Sequence, residues 1–211
     1  SISSDGTQFA AALVSGRIVI GNTNNSEQLA LDYHTQAVRD VQFSPNNRLV
    51  ASVGMDNVAL LVDARTGKLI TEFQLDSFGY SVEFSSDNRM LYVASGDAKV
   101  TTWDIASGQQ VADYTLTFPT IRQIVFSPNN RHIATITDED NVARIFDVNS
   151  YQQIALLNGS EERPLSIAYR PTGNLIATAS GGDVHIWTTN NFRLADTLST
   201  NEARIFSIAF T

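Results

Sequence analysis

Six equivalent positions punctuate the chain: Ile2, Phe43, Phe84, Phe126, Tyr169 and Phe210, spaced 41, 41, 42, 43 and 41 residues apart. Five of the six open a turn-forming segment, "ISSDG", "FSPNN", "FSSDN", "FSPNN" and "YRPTG". So regular a period over all 211 residues requires a tandem repeat of one supersecondary unit, and it excludes an ordinary mixed α/β domain.

Residues 37–77 show what the unit is. They read "AVRDVQFSPNNRLVASVGMDNVALLVDARTGKLITEFQLDS". Four apolar runs, at 38–43, 49–53, 58–62 and 68–73, are separated by "SPNN", "GMDN" and "DARTG". Runs of five or six residues rich in β-branched and aromatic side chains are strands, and hairpin-sized connections pair neighbours antiparallel. The turn before Lys68 recurs as "DIASG" at 104–108 and "DVNSY" at 147–151. Each repeat is therefore expected to be a four-stranded meander. Five such sheets hide their apolar faces by stacking around an axis, which gives an all-β propeller with repeats at about 1–36, 37–77, 78–118, 119–162 and 163–202.

The Trp103-Asp104 pair in "VTTWD", with Phe146-Asp147 and Val62-Asp63 in its place elsewhere, resembles the signature of WD-repeat propellers. The last repeat keeps Trp187 but follows it with Thr188, and the first has Gly21-Asn22. The resemblance implies a buried hydrogen-bonded set of His, Ser or Thr, Asp and Trp in each blade. His34, Ser52 and Asp56 supply three of its members, with Val62 in place of the Trp. Leu75, Thr117 and Ser160 stand where the His is missing, so most blades are expected to rely on packing. Both Trp103 and Trp187 are expected in the core.

Residues 203–211 carry the phase of an innermost strand and are expected either to complete the first blade or to start another. A closed five-bladed ring, a fragment of a larger propeller, an engineered five-repeat chain and a protomer whose open ends self-associate all fit that phase. The whole chain, 1–211, is read as a single propeller domain.

Composition narrows the function. Cysteine is absent, which excludes disulfides and thiolate chemistry. A net charge of −8 without any Lys/Arg run argues against nucleic acid, and no apolar run reaches membrane-spanning length. The expected setting is cytoplasmic, with no cofactor and no metal. His34, Ser52 and Asp56 are residue types of a nucleophilic triad, but nothing suggests an oxyanion hole, and they are read as structural. His132 and His185 are placed at surface or rim positions. The acidic run "TDEDN", 137–141, is read as a solvated loop because it lacks the glycine and spacing of a calcium loop. A propeller carries its function on exposed loops. The resemblance makes the loops before each first strand the partner-binding face, where Tyr33, Arg39, Phe78, Tyr80, Phe118, Arg122 and Arg163 are the candidate contacts for a protein or peptide. The expected function is a non-catalytic interaction scaffold, a sensing or regulatory module of a larger protein or assembly; the alternatives are an engineered or excised repeat fragment with no partner of its own and an enzyme propeller acting on a small molecule at the channel mouth.

Overall fold

The structure is a computed structural model that describes residues 1–115, 121–200 and 204–210. It divides into two compact units, Ser1–Pro119 and Thr120–Thr211.

In the first unit, β1 (Gln8–Ala12), β2 (Ile18–Asn22) and β3 (Gln28–Leu31) form a three-stranded sheet. The second sheet holds β4 (Val38–Phe43), β5 (Leu49–Gly54), β6 (Val58–Asp63) and β7 (Leu69–Gln74). The third holds β8 (Gly79–Phe84), β9 (Met90–Ser95), β10 (Lys99–Asp104) and β11 (Gln109–Thr115). In the second unit, β12 (Ile121–Phe126), β13 (His132–Thr137), β14 (Ala143–Asp147) and β15 (Gln153–Leu157) make one sheet. A further sheet comprises β16 (Pro164–Tyr169), β17 (Leu175–Ser180), β18 (Asp183–Thr188) and β19 (Leu194–Ser199). Every pairing is antiparallel between sequence neighbours, as the repeat predicts. No described helix is long and apolar enough to cross a membrane.

The recurring turn now has a physical reason. Its last residue lies in the left-handed region, at φ 59° for Asn47, 62° for Asn88, 56° for Asn130 and 76° for Gly173. Asn and Gly are the residues that tolerate this conformation at least cost. The Ser44, Ser85 and Ser127 hydroxyls accept the N–H groups of Leu49, Met90 and His132 at 2.9–3.0 Å, which starts the second strand. The Asp after the third strand caps the next turn: Asp63, Asp104 and Asp147 accept from the N–H groups of Thr66, Ser107 and Ser150 at 2.7–2.9 Å. These bonds hold each of the three carboxyls below the usual range.

Within each unit neighbouring sheets pack face to face. Ile18, Ile20, Val50 and Val62 fill the space between the first and second sheets, and Leu61, Phe73, Leu91 and Val93 that between the second and third. Burying each such side chain contributes roughly 2 kcal/mol. A polar stitch accompanies this packing along the first strands. Asp40 Oδ2 accepts the Val82 N–H at 3.1 Å, and in the second unit Gln123 Oε1 accepts the Ile167 N–H at 3.1 Å. Ser166 Oγ accepts the Ile208 N–H at 3.2 Å in the same way.

The first sheet has three strands, with Ser1 and Ile2 at its inner edge: Ile2 bridges Phe9, and the Ala10 N–H donates to the Ser1 carbonyl at 2.9 Å. Residues 204–210 form no strand; the Ile205 N–H bonds to the Gly181 carbonyl and the Ile208 N–H to Ser166. The expected closing of the first sheet by residues 203–211 is thus not part of the described structure.

Candidate functional site

The end of the sheets where the first strands begin gathers most of the candidate residues. In the first unit His34 is buried ahead of β4. Its Nδ1 lies 3.0 Å from Asp56 Oδ1 and its Nε2 lies 2.8 Å from the Ser52 hydroxyl. Asp56 also accepts the Thr35 N–H at 2.8 Å. Burial alone would raise the Asp56 pKa, but the His34 and Thr35 hydrogen bonds outweigh it and hold the group below its ordinary value. An ionised Asp56 accepts only, so His34 Nδ1 donates to it, and Nε2 bonds the Ser52 hydroxyl. Ser52 is itself 1% exposed, and the trio ties the loop before β4 to β5 and to the β5–β6 turn.

Arg39, Tyr80 and Phe78 form a second group. The Arg39 guanidinium sits over the Tyr80 ring, 5.5 Å from its centroid, and Tyr80 meets Phe78 edge to face at 5.1 Å. Residues one period apart are thereby brought together from β4 and β8. Arg39 is exposed, Phe78 and Tyr80 are half-buried, and among the described residues no carboxylate lies within ion-pair distance of Arg39. Tyr33 stands apart: its hydroxyl donates to the Gly67 carbonyl, in the β6–β7 turn, at 3.2 Å. Phe118 lies outside the described residues.

In the second unit Arg122 and Arg163 converge on Asp138, at 2.9 and 3.7 Å. Arg122 Nε also donates to the Leu165 carbonyl and Arg163 to the Asp138 carbonyl. Both arginines hold the fourth and fifth sheets to each other through these bonds.

Three features escaped the sequence reading. His185, expected at the surface or rim, is buried at 4% exposure and stacks on Trp187 with ring centroids 6.2 Å apart; it alternates with Ile186 on a strand whose two faces are both covered in part. The acidic run 137–141 is no simple solvated loop. Asp138 serves the two arginines, and Asp140 pairs with the buried Arg144, whose Nη1 lies 3.1 Å from Oδ1, while the Thr137 hydroxyl donates to the same oxygen. Burial and the neighbouring Asp40 push the Glu83 carboxyl on β8 up to about 8. Trp187 is buried and donates from Nε1 to Thr178 at 3.0 Å; Trp103 is half-buried and packs on Phe73 at 4.9 Å. Among the described residues no group of three or more His, Cys, Asp or Glu is placed to hold a metal ion.

Tandem antiparallel sheets, four of them four-stranded, with an Asp-capped turn after the third strand in three of them and a His–Ser–Asp hydrogen-bond set at one, define a repeat protein of the β-propeller class. The WD40 family (WD domain, G-beta repeat) matches residues 25–63 and 151–188. Relatives include pre-mRNA-processing factor 17 of Homo sapiens, 32% identical over 52% of this chain and 19% of the relative. A guanine nucleotide-binding protein subunit beta of Oryza sativa subsp. japonica is 30% identical over 74% of this chain and 45% of its own length. WD repeat-containing protein 1 of Xenopus tropicalis is 33% identical over 39% and 14% respectively. The chain carries WD-repeat sequence in these two segments and spans less than half the length of these relatives. Proteins of this family serve in general as protein-interaction scaffolds.

Proposed function

We propose that the chain is a non-catalytic scaffold, a sensing or regulatory module of a larger protein or assembly, which takes its protein or peptide partner on the Arg39–Tyr80–Phe78 cluster. The observation that carries this reading is the Arg39 guanidinium over the Tyr80 ring. Stacking occupies the face of the guanidinium and leaves its in-plane donors free, and Arg and Tyr dominate interface hot spots. One relative is a guanine nucleotide-binding protein subunit and so a member of an assembly. The net charge of −8 favours a protein over a nucleic acid or an anionic membrane.

Panning a phage-displayed peptide library against the immobilised chain tests this. A family of sequences should be enriched on the native protein and lost on the Arg39→Ala and Tyr80→Ala variants, both of which should keep the native melting temperature within about 2 °C. Equal enrichment on the variants, or no enrichment on the native chain, overturns the assignment.

A further inference from the structure

At the other end of the second sheet, where β6 turns into β7, a cleft of about 660 Å³ opens between the first and second sheets. Its floor is Ile20, Leu29 and Ala64, and Gln8 lies on its wall. Ile20, Leu29 and Ala64 belong to the apolar cluster that joins the two sheets, so the cleft continues that interface outward.

The neighbouring interface, one repeat on, shows what is missing. Gln8 pairs with Asn22 as Leu49 pairs with Asp63, and Val62 and Ala64 stand where the third sheet has Trp103 and Ile105. Leu49, Trp103 and Ile105 all pack on the cluster between the second and third sheets. Replacing an indole by an isopropyl group, a sec-butyl by a methyl and an isobutyl by an amide removes apolar volume at the first interface.

Charge qualifies what can enter. Arg65 lies at one side of the mouth and Glu27 at the other. The Glu27 carboxylate accepts from the Asn25 side chain at 3.2 Å, whereas among the described residues Arg65 has no ion-pair partner. A second cleft of about 450 Å³, which includes Arg48 and Asp63, shares Gln8 and Arg65 with the first and prolongs it across the turns. A cleft that runs on as a groove suits an extended chain better than a compact small molecule.

We propose that this cleft receives an aromatic side chain of a protein or peptide partner, seated over Ile20, Leu29 and Ala64, with an adjacent carboxylate of the same partner on Arg65. The site lies at the opposite end of the strands from Arg39 and does not depend on the reading given for that cluster.

The test is a titration of the full chain with the capped dipeptide acetyl-Glu-Trp-amide, followed by methyl-resolved NMR. Saturable shifts should appear at Ile20, Leu29 and Ala64. Acetyl-Lys-Trp-amide should bind several-fold more weakly, and acetyl-Glu-Gly-amide should leave the methyls unmoved. Ala64→Ile narrows the cleft and should weaken binding about tenfold, as should the surface substitution Arg65→Glu, which leaves the core untouched. The absence of saturable shifts at millimolar peptide, or binding undiminished in both variants, overturns the proposal.

Discussion

Asp40 on β4 accepts two hydrogen bonds from β8, the Val82 N–H and the Ser81 hydroxyl, both at 3.1 Å. A half-buried carboxylate thus joins two sheets through groups 41 and 42 residues away. Asp40→Ala should lower the unfolding free energy by about 2 kcal/mol, because both donors lose their acceptor. Asp40→Asn keeps an acceptor oxygen and should lose less. Urea melts of the two variants against the native chain decide it; equal losses would show that charge rather than hydrogen bonding matters.

Glu83 gives stability a pH dependence. Its carboxyl is pushed up from 4.5 to about 8 by burial and by Asp40. A group whose pKa is raised on folding contributes stability that is complete below its unfolded value and is lost as pH rises through the folded one. The unfolding free energy should therefore fall between pH 5 and pH 8, and Glu83→Gln should flatten that slope and stabilise the protein at pH 8. Melts at pH 5, 6.5 and 8 test it, and parallel profiles for variant and native chain would refute it.

His34→Ala should cost about 3 kcal/mol, since it leaves a buried hydroxyl and a carboxylate without their shared partner. Thermal unfolding measures the loss. Peptide capture at Arg39, checked below the lowered melting point, should persist, which separates the structural trio from the binding cluster.

Arg144→Met should destabilise the second unit by about 2 kcal/mol at pH 7, a value discounted for the partial exposure of Asp140. The Arg144 hydrogen bonds hold Asp140 below its ordinary pKa, so their contribution is present above the usual carboxylate range and is lost as pH falls. The gap between variant and native chain should thus shrink toward pH 3. Denaturant melts along that series provide the check; a gap independent of pH would assign the effect to packing.

The strand plan was legible because the turns announce it. A left-handed Asn and a capping Ser bracket the first connection, an Asp caps the last, and neither depends on distant residues. His34, Ser52 and Asp56 could be named for the same reason: a family pattern fixes their spacing. His185 was misplaced because alternation along a strand gives two faces without saying which is covered, and in an inner strand both are. The meeting of Arg122 and Arg163 on Asp138 joins a strand, a turn and a loop up to 41 residues apart, and no local pattern encodes it. The cleft at Ala64 was not legible, because a small residue where the next repeat has Ile105 shows its meaning only once a neighbouring interface supplies the comparison.

The stitch between first strands also sets an order of assembly. Asp40 reaches Val82, Gln123 reaches Ile167 and Ser166 reaches Ile208, each across a single period of 42 to 44 residues. Such contacts never wait for a distant part of the chain, so closing each costs little more loop entropy than the last. Within each unit the first strand of the later sheet can therefore clasp its predecessor by a closure only one period long.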